Sequence, residues 1–241
     1  MFYNIKVYME YSEQKIERFL EAQTSLFKGL SPKEKEMIVS SHSIEVYKKG
    51  ETIVREGEKA KGFICIISGK VKLFKIGIGG REQIIKMLKQ NEIIGYKSLF
   101  SEGTYIASAT AIEETTTCII DRNILIKILK KNPDFSYNLM KLITDDLTFS
   151  MNRTMSLTQK HIRGRLAESL LVLKDIYGTE NDGKTIKIAL SREDIANLSN
   201  MTTSNVIRTL SSMATDEVIE MEGRKIRIKD LNELERISSL G

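Results

Sequence analysis

The sequence predicts an α+β fold in three consecutive parts: N-terminal helices with a β-rich region over residues 1–131, one long helix over 132–161, and short helices with a hairpin over 162–241. Three observations predict this order. Short β-rich runs separated by glycine turns fill Ile44–Asp121, and such regular spacing is typical of a sandwich or barrel. An uninterrupted helical stretch of about 30 residues follows Pro133. Two capped helical segments then precede an alternating hairpin.

The composition is that of a folded protein without membrane spans. Its 241 residues suit one large domain or two smaller ones, and 41% of them are hydrophobic. No apolar run reaches the length of about 18 residues at which a spanning helix is suspected. The first residues, Met1–Lys6, lack the charged and apolar regions of a signal peptide. We therefore expect a cytoplasmic protein with no membrane partner.

The net charge of +5 is unevenly distributed. From Ile162 onward there are 12 Lys and Arg against 13 Asp and Glu, whereas the preceding residues hold 25 against 19. The C-terminal part is therefore not basic as a whole, and any contact with nucleic acid there must rest on a local cluster of cations. The lysines of the first part are scattered over turns and strands, as on an ordinary solvated surface.

The N-terminal segment from about Ser12 to Ser40 is predicted to be helical. Ser12 is a plausible N-cap of the first helix. Ser31 is the expected N-cap of a second helix, because Pro32 follows at its first position and Glu34 places an acid in its first turn.

The β-rich region contains several predicted strands between turn signals. These strands are Phe63–Ile67, Val71–Phe74, Ile84–Leu88 and Thr117–Ile120. Gly80 is expected at the tip of a hairpin.

The sequence shows no metal site and no catalytic constellation. Cys65 and Cys118 lie in apolar strand-like runs and are expected to be buried, reduced thiols. An iron–sulfur cubane needs about four ligands, and His42 and His161 do not have zinc-binding spacing. Gly77–Gly80 lacks the Lys-Ser/Thr of a phosphate loop. We therefore expect a protein that is not an enzyme.

A short helix is predicted from Asp121 to Pro133, and a long one from there to about Lys160. The long helix carries an apolar stripe at heptad-like spacing, which predicts a two-chain coiled coil rather than a helix that packs only on its own core. The stripe consists of Met140, Leu147, Thr154 and His161 at one position and Ile143, Ser150 and Leu157 at the other.

The C-terminal part contains the pattern of a helix-turn-helix. The alternating Thr185–Leu190 predicts a half-buried strand. Ser191 and Asp194 then form a capping-box pattern at the start of a short helix. Ser199–Met201 is the expected turn, in which Asn200 tolerates a left-handed backbone. Thr202 is the expected cap of the second helix.

The second helix is predicted to have one apolar and one polar face. At about 100° per residue, Val206, Leu210 and Met213 share one side, and the opposite side carries Ser204 and Arg208, with Thr203 and Ile207 beside them. A hairpin follows from Val218 to Ile228 with the basic tip Gly223-Arg224-Lys225. This order predicts a winged helix-turn-helix that binds DNA.

The expected contacts follow from this geometry. N-terminal residues of a recognition helix meet base edges in the major groove, and an arginine can bond guanine O6 and N7. Arg208 is the residue expected to do so, whereas the wing tip and the start of the preceding helix are expected to contact phosphates. The predicted DNA contacts are Ser191, Arg192, Thr202, Thr203, Ser204, Asn205, Arg208, Arg224 and Lys225.

From about Leu26 to Ile228 the chain resembles the Crp/Fnr family of transcription regulators. The resemblance rests on Lys49-Gly50-Glu51, Arg55-Glu56-Gly57-Glu58, Ile67-Ser68-Gly69-Lys70-Val71, Ile94-Gly95 with Leu99-Phe100, Asn132-Pro133-Asp134, and Gly164-Arg165-Leu166-Ala167. It implies a jelly-roll-like β-roll (double-stranded β-helix) as sensor domain, a dimerisation helix and a winged helix-turn-helix. It also implies a homodimer on a palindromic site, with RNA polymerase left open as a further partner.

The resemblance does not extend to the pocket of the cyclic-AMP-binding members. They have Gly-Glu-Leu for the ribose and Arg-Ser for the cyclic phosphate, where this chain has Gly95-Tyr96-Lys97 and Ile106-Ala107. A buried phosphate without its arginine would be an uncompensated charge, so cyclic AMP is disfavoured. The positions that match the effector pocket are Tyr96, Lys97, Ile106, Ala107, Ser150 and Met151.

Other sensor chemistries stay partly open. The iron–sulfur members need an N-terminal cysteine cluster that this chain lacks, whereas haem remains a candidate and the effector is unknown. In the recognition helix the best-known members carry Arg-Glu and then Arg, of which only Arg208 persists here. This implies a different half-site. The alternative is a sensor that acts through a protein partner with a degenerate DNA-binding domain, which the −1 charge of the C-terminal part keeps open.

Overall fold

The structure is a computed structural model that describes residues 14–22, 26–101 and 103–240. Its helices are α1 (14–21), α2 (Pro32–Val39), α3 (Arg122–Lys131), α4 (Pro133–Gln159), α5 (Ile162–Tyr177), α6 (Arg192–Ser199), α7 (Thr203–Thr215) and α8 (Leu231–Leu240). Its strands are β1 (Ser43–Tyr47), β2 (Thr52–Val54), β3 (Gly62–Ser68), β4 (Lys70–Ile76), β5 (Glu82–Lys89), β6 (Ile93–Ile94), β7 (Ser108–Ala111), β8 (Thr115–Asp121), β9 (Ile219–Glu222) and β10 (Lys225–Ile228). The α+β prediction is confirmed.

The β-rich region forms two four-stranded sheets in the orders β1-β8-β3-β6 and β2-β7-β4-β5. Apolar side chains from both sheets share one core, which includes Ile64, Ile66, Val71, Ala109 and Ile119. The predicted strands of this region are all present within β3, β4, β5 and β8.

Strand β3 is buried on both faces. Its residues alternate between the core that the two sheets share and a second core formed with α1 to α4, in which Phe63, Cys65 and Ile67 lie. Burial on both sides explains why this strand is almost continuously hydrophobic instead of alternating. Cys65 lies directly opposite Cys118 of β8 in the antiparallel register, and both thiols are buried and free.

The predicted cap of α2 is confirmed, and the structure adds two caps that the sequence analysis did not predict. Ser31 caps α2 in a complete capping box with Glu34, and Asp121 caps α3 by accepting from the amide of Asn123 at 2.8 Å. The amide of Phe135 donates to the side chain of Asn132 at 2.9 Å, at the start of α4. The predicted cap Ser12 lies outside the described residues.

The hairpin between β4 and β5 turns where the sequence predicts it. Gly79 and Gly80 both have φ of 76°, a left-handed conformation that glycine adopts without strain. Contacts divide the described chain into two units, and the hairpin segment Phe74–Met87 belongs with Thr148 and the residues after it rather than with the rest of the sheets.

Helix α4 has its exposed apolar stripe in a different phase from the predicted one. At one predicted seam position Ile143 packs against the chain's own core, Leu157 is half-buried and Ser150 is exposed, so the exposed apolar stripe does not include this position. The core takes Ile143 because it continues the buried side that Leu139 begins. At the other predicted position Met140 and Leu147 are exposed, and the seam itself stays a prediction. The large apolar residues exposed on α4 are Tyr137, Met140, Leu147, Met151 and Met155.

In the C-terminal part, α5 packs against α6, α7 and α8, and β9 pairs with β10 in an antiparallel hairpin. The strand predicted at Thr185–Leu190 is wrong as a regular element, because the segment makes only the isolated bridges Thr185↔Arg227 and Thr179↔Ile186. Its burial still alternates from Ile186 onward. Among the described helices, none is long and apolar enough to cross a membrane.

Candidate nucleic-acid interface

The first helix of the helix-turn-helix, α6, begins with a local cap. The Ser191 hydroxyl accepts from the amide of Asp194 at 2.9 Å and donates to its carboxylate at 2.6 Å. The predicted cap is therefore confirmed. A hydroxyl fixed in this way holds the start of the helix, where the backbone amides favour an anion.

The turn between α6 and α7 has the predicted backbone. Asn200 is left-handed, with φ of 50° and ψ of 53°. The amide of Met201 bonds the carbonyl of Ala196 at 2.9 Å, which closes α6 in the manner of a Schellman motif. The Thr202 hydroxyl accepts from the amide of Asn205 at 3.2 Å and thereby caps α7.

Helix α7 has the predicted two faces. Val206, Leu210 and Met213 are fully buried. The opposite side is exposed and consists of Thr202, Thr203, Ser204, Ile207 and Arg208. A helix with its apolar side in the domain core and short polar side chains plus one arginine outside presents the geometry of a recognition helix.

The Arg208 side chain is held by its own helix. One terminal guanidinium nitrogen donates to Asn205 Oδ1 at 2.8 Å, and Arg208 itself is exposed. A donor fork that is oriented before a partner arrives loses less side-chain entropy on binding.

The wing is the hairpin of β9 and β10, with Gly223 at its tip in a left-handed conformation with φ of 58°. Arg224 is exposed beside it. Lys225 lies 3.0 Å from a carboxylate oxygen of Glu180, and this hydrogen bond raises the pKa of the lysine. Arg227 likewise lies near Glu220 at 3.4 Å. The wing cations other than Arg224 thus share their charge with carboxylates.

Arg192 connects α6 to the wing. A terminal nitrogen donates to the carbonyl of Gly223 at 2.8 Å and lies 3.6 Å from the sulfur of Met221. Burial lowers the pKa of Arg192, and its other terminal nitrogen is buried without a hydrogen-bond partner in the described part of the chain. The arginine therefore braces the wing, a role that its sequence position did not indicate.

Two of the predicted effector residues meet at a buried carboxylate. The Tyr96 hydroxyl donates to Asp146 of α4, and Lys97 Nζ lies 3.0 Å from the same carboxylate oxygen. The Asp146 side chain is only 9% exposed. Burial, and then this hydrogen bond, raise the pKa of Tyr96. Ala107, another predicted effector residue, is also buried.

The remaining pocket positions are not collected in this cluster. Ile106 is exposed in the loop before β7, and Ser150 and Met151 are exposed on α4. Asp146 was missed by the sequence reasoning. The available signal was a carboxylate at helical spacing on the inner face that Leu139, Leu142 and Ile143 form.

Two family models match the chain. The model described as "Cyclic nucleotide-binding domain" matches residues 44–132, and the one described as "Crp-like helix-turn-helix domain" matches residues 164–237. The chain belongs to the Crp/Fnr family. Members of this family are transcription regulators, so this Crp/Fnr protein is a DNA-binding transcription regulator and not an enzyme.

Known regulators are similar to this Crp/Fnr protein over most of their length. The CRP-like cAMP-activated global transcriptional regulator of Mycobacterium tuberculosis is 28% identical over 217 residues, which cover 89% of this chain and 96% of that protein. The Cyclic AMP receptor protein of Thermus thermophilus is 27% identical over 213 residues, covering 88% and 96%. FixK2 from Bradyrhizobium japonicum shares the fold, with a TM-score of 0.73 at 23% identity over 82% of this chain and 97% of that one.

The two cysteine thiols of this Crp/Fnr regulator are buried away from reagents in solvent. Burial raises the pKa of Cys65 and raises that of Cys118 to about 12. Within residues 14–22, 26–101 and 103–240, no three His, Cys, Asp or Glu side chains form a group that could hold a metal ion.

We expect both thiols of the folded regulator to react very slowly with a disulfide reagent at pH 8. A thiol with a pKa of about 12 has about one thiolate in ten thousand at that pH, and the thiolate is the nucleophile. The reaction is followed by absorbance in buffer and again in guanidinium chloride, where both thiols should react at once. Rapid reaction of either thiol in the native protein would contradict the described burial.

Proposed function

We propose that this regulator is a homodimer that reads a palindromic DNA site through α7, with an effector other than cyclic AMP or with no small-molecule effector. The observation that carries the proposal is the outward face of α7, where Thr203, Ser204 and Arg208 are exposed opposite a fully buried apolar face. A reader of this kind works where chromosomal DNA is, so the cytoplasm is its proposed location.

Arg208 is the proposed base-reading residue. Its guanidinium is exposed and steadied by Asn205, and a fork of this kind fits the two acceptors of guanine in the major groove. Thr202, Thr203 and Ser204 add hydroxyls and helix-start amides for bases or phosphates. Because Ser204 cannot select cytosine as strongly as a glutamate can, we expect a half-site that differs from that of the cyclic-AMP regulators.

Phosphate contacts are proposed at the wing and at the start of α6. Arg224 is exposed at the wing tip, and Lys225 beside it would exchange its surface ion pair with Glu180 for a phosphate. Such exposed pairs contribute little, so the exchange is inexpensive. Ser191 and Arg192, at the start of α6, are further proposed phosphate contacts, because the amides of a helix start favour an anion.

The exposed stripe of α4 supports a homodimer. Its five large apolar side chains are between 53% and 66% exposed, and they recur at intervals of three, four or seven residues along one helix, as in a two-chain coiled coil. Exposed apolar patches of this kind mark interfaces. A two-fold dimer of winged helices places its two recognition helices about 34–36 Å apart, which a palindrome matches.

The effector proposal rests on the Tyr96–Asp146–Lys97 cluster. The similar regulators are named for cyclic AMP. In this chain, however, Lys97 lies in the stretch that matches the ribose-binding motif, and it forms an ion pair with Asp146. At the positions that match the phosphate-binding Arg-Ser, this chain has Ile106 and Ala107, so a cyclic phosphate bound there would lack a cation, which costs binding energy. Haem remains among the candidate effectors.

Cyclic AMP is expected not to stabilise the regulator. A ligand at about 100 times its Kd adds about 2.7 kcal/mol to stability, which a thermal unfolding curve detects as a rise in Tm. We expect no such rise with millimolar cyclic AMP, measured against 5′-AMP as the matched control nucleotide. A rise of several degrees with cyclic AMP alone would overturn this part of the proposal.

A second candidate function is a sensor that acts through a protein partner. The ion pairs of Lys225 and Arg227 on the wing favour it, because they reduce the cationic surface there. The dependence of DNA affinity on salt concentration distinguishes the two functions. Each neutralised phosphate contributes a slope of about −0.9 to the fall of log K with log salt. We expect a steep fall for DNA, whereas DNA binding too weak to measure at low salt would favour the partner.

A further inference from the structure

The carboxyl end of α6 is held by side chains from two other parts of the chain. The last carbonyls of a helix have no partner within the helix, and the cap of α6 satisfies only Ala196, whose carbonyl accepts from Asn200 and Met201. Three side chains donate to the carbonyls that follow: Gln83 Nε2 to Asn197 at 2.7 Å, Arg153 to Leu198, and Arg81 to Met201.

The donors fit the end of the helix electrostatically. The carboxyl end of a helix carries partial negative charge, which cations stabilise. Arg81 and Arg153 bring two guanidinium groups to this one end. We call Arg81, Gln83 and Arg153, with the three carbonyls that they bind, the turn clamp.

The turn clamp joins segments that are distant in sequence. Arg81 and Gln83 follow the glycine tip of the β4–β5 hairpin, and that hairpin segment groups with the C-terminal unit by its contacts. Arg153 lies on the carboxyl half of α4 and is half-buried. Burial lowers the pKa of Arg153, and the nearby Glu168 acts in the opposite direction without outweighing the burial.

The turn clamp leaves the DNA-facing surface open. Its acceptors are backbone carbonyls up to Met201, and the next residue, Thr202, is exposed, as are Thr203 and Arg208. The clamp therefore holds the turn from behind without covering the residues that are proposed to read DNA.

We propose that Arg81, Gln83 and Arg153 are positioning residues of the DNA reader, which fix the angle of α6 and α7 to the carboxyl half of α4 and to the β4–β5 hairpin. This inference rests on the proposed function of α7. When α6 and α7 are held at one angle, the two copies of α7 in a dimer can bind half-sites of fixed spacing without an ordering cost at binding. A reader released from the clamp still meets one half-site but loses the advantage of binding both.

The test compares the double variant Arg81→Ala/Gln83→Ala with the wild-type full chain. Arg81 is exposed and Gln83 is half-buried, so folding is checked by circular dichroism and thermal unfolding. Arg55→Ala is the matched control, because Arg55 is an exposed arginine of the same β-rich region whose guanidinium, within the described residues, makes one long contact, to Glu58 at 3.8 Å. The single variant Arg81→Lys, which keeps Gln83, is the conservative variant. Lysine can still donate to the Met201 carbonyl.

Two readouts are expected to move together. Affinity for the full selected site should fall about tenfold, whereas affinity for an isolated half-site and the preferred bases should stay as in the wild type. Amide hydrogen exchange at residues 200–204 should become faster in the double variant and return towards the wild-type rate in Arg81→Lys.

Unchanged exchange at 200–204, or unchanged affinity for the full site, would overturn the proposal. Tighter binding by the double variant would also overturn it, because the clamp would then be an inhibitory lock. Failure of the underlying DNA-reading proposal is distinguishable: the wild type itself would then select no site, although the clamp variant would still change exchange at the turn.

Discussion

Arg208→Ala is expected to weaken binding to the selected DNA site by about 1–3 kcal/mol for each half-site and to relax the preference at one base pair. The reason is the exposed guanidinium fork, which Asn205 orients at 2.8 Å on the outward face of α7. Loss of a bidentate contact to guanine removes discrimination without removing phosphate contacts. Binding to random-sequence duplexes should therefore change little. Fluorescence anisotropy with the selected duplex and with single-base variants measures both effects.

Arg236→Ala is the matched control for Arg208. Arg236 is an exposed arginine of α8 that is occupied by Glu233 at 2.6 Å, so its loss removes the same charge from the same domain. Asn205→Ala should give a smaller loss than Arg208→Ala, because it frees the arginine without deleting it. Equal weakening by Arg208→Ala and Arg236→Ala would mean that only bulk charge matters, and the base-reading role would be wrong.

Leu147→Glu is expected to convert the regulator into a monomer and to lower its affinity for a palindromic site by about a hundredfold or more. Leu147 lies in the middle of the exposed stripe of α4. Two glutamates brought together in an apolar seam would be desolvated like charges, which is strongly unfavourable. Sedimentation or light scattering gives the mass, and a binding titration gives the affinity.

Asn152→Glu controls for the new charge on the same helix. Asn152 is exposed away from the stripe, so this variant should remain a dimer with wild-type affinity. A Leu147→Glu protein that stays dimeric at micromolar concentration would show that α4 is not the interface. The dimer would then have to use another surface.

The features that could be predicted from the sequence are those that local chemistry decides. The predicted caps at Ser31, Ser191 and Thr202 involve partners three residues away. The left-handed Asn200 and the two faces of α7 follow from side-chain type and helical period. All of these are confirmed by the structure.

The exposed apolar stripe of α4 was predicted only in part, because the sequence does not say which apolar residues of the helix face the chain's own core. Met140 and Ile143 lie three residues apart, and a periodicity alone does not say which one faces the chain's own core. The structure assigns Ile143 to that core and leaves Met140 exposed. The same limit applies to Thr185–Leu190, whose alternating burial arises without a strand ladder.

The tertiary contacts of the candidate site could not be predicted, because their partners are distant in sequence. Asp146 meets Tyr96 across 50 positions, and Gln83 meets Asn197 across 114. Arg192 was predicted to contact a phosphate, and its bond to the wing carbonyl of Gly223 is a further contact that the sequence did not indicate. In each case residue type indicated a polar or charged role, and only the fold decides the partner.

Selection of binding sites from random duplexes by the wild-type protein tests the central claim most directly. The account predicts enrichment of an inverted repeat whose half-sites lie about 10–10.5 base pairs apart, or a multiple of that distance, centre to centre. Each half-site should contain a guanine that Arg208→Ala no longer selects. Enrichment of no motif, or of a single asymmetric motif, would contradict the claim that a dimer reads DNA through α7.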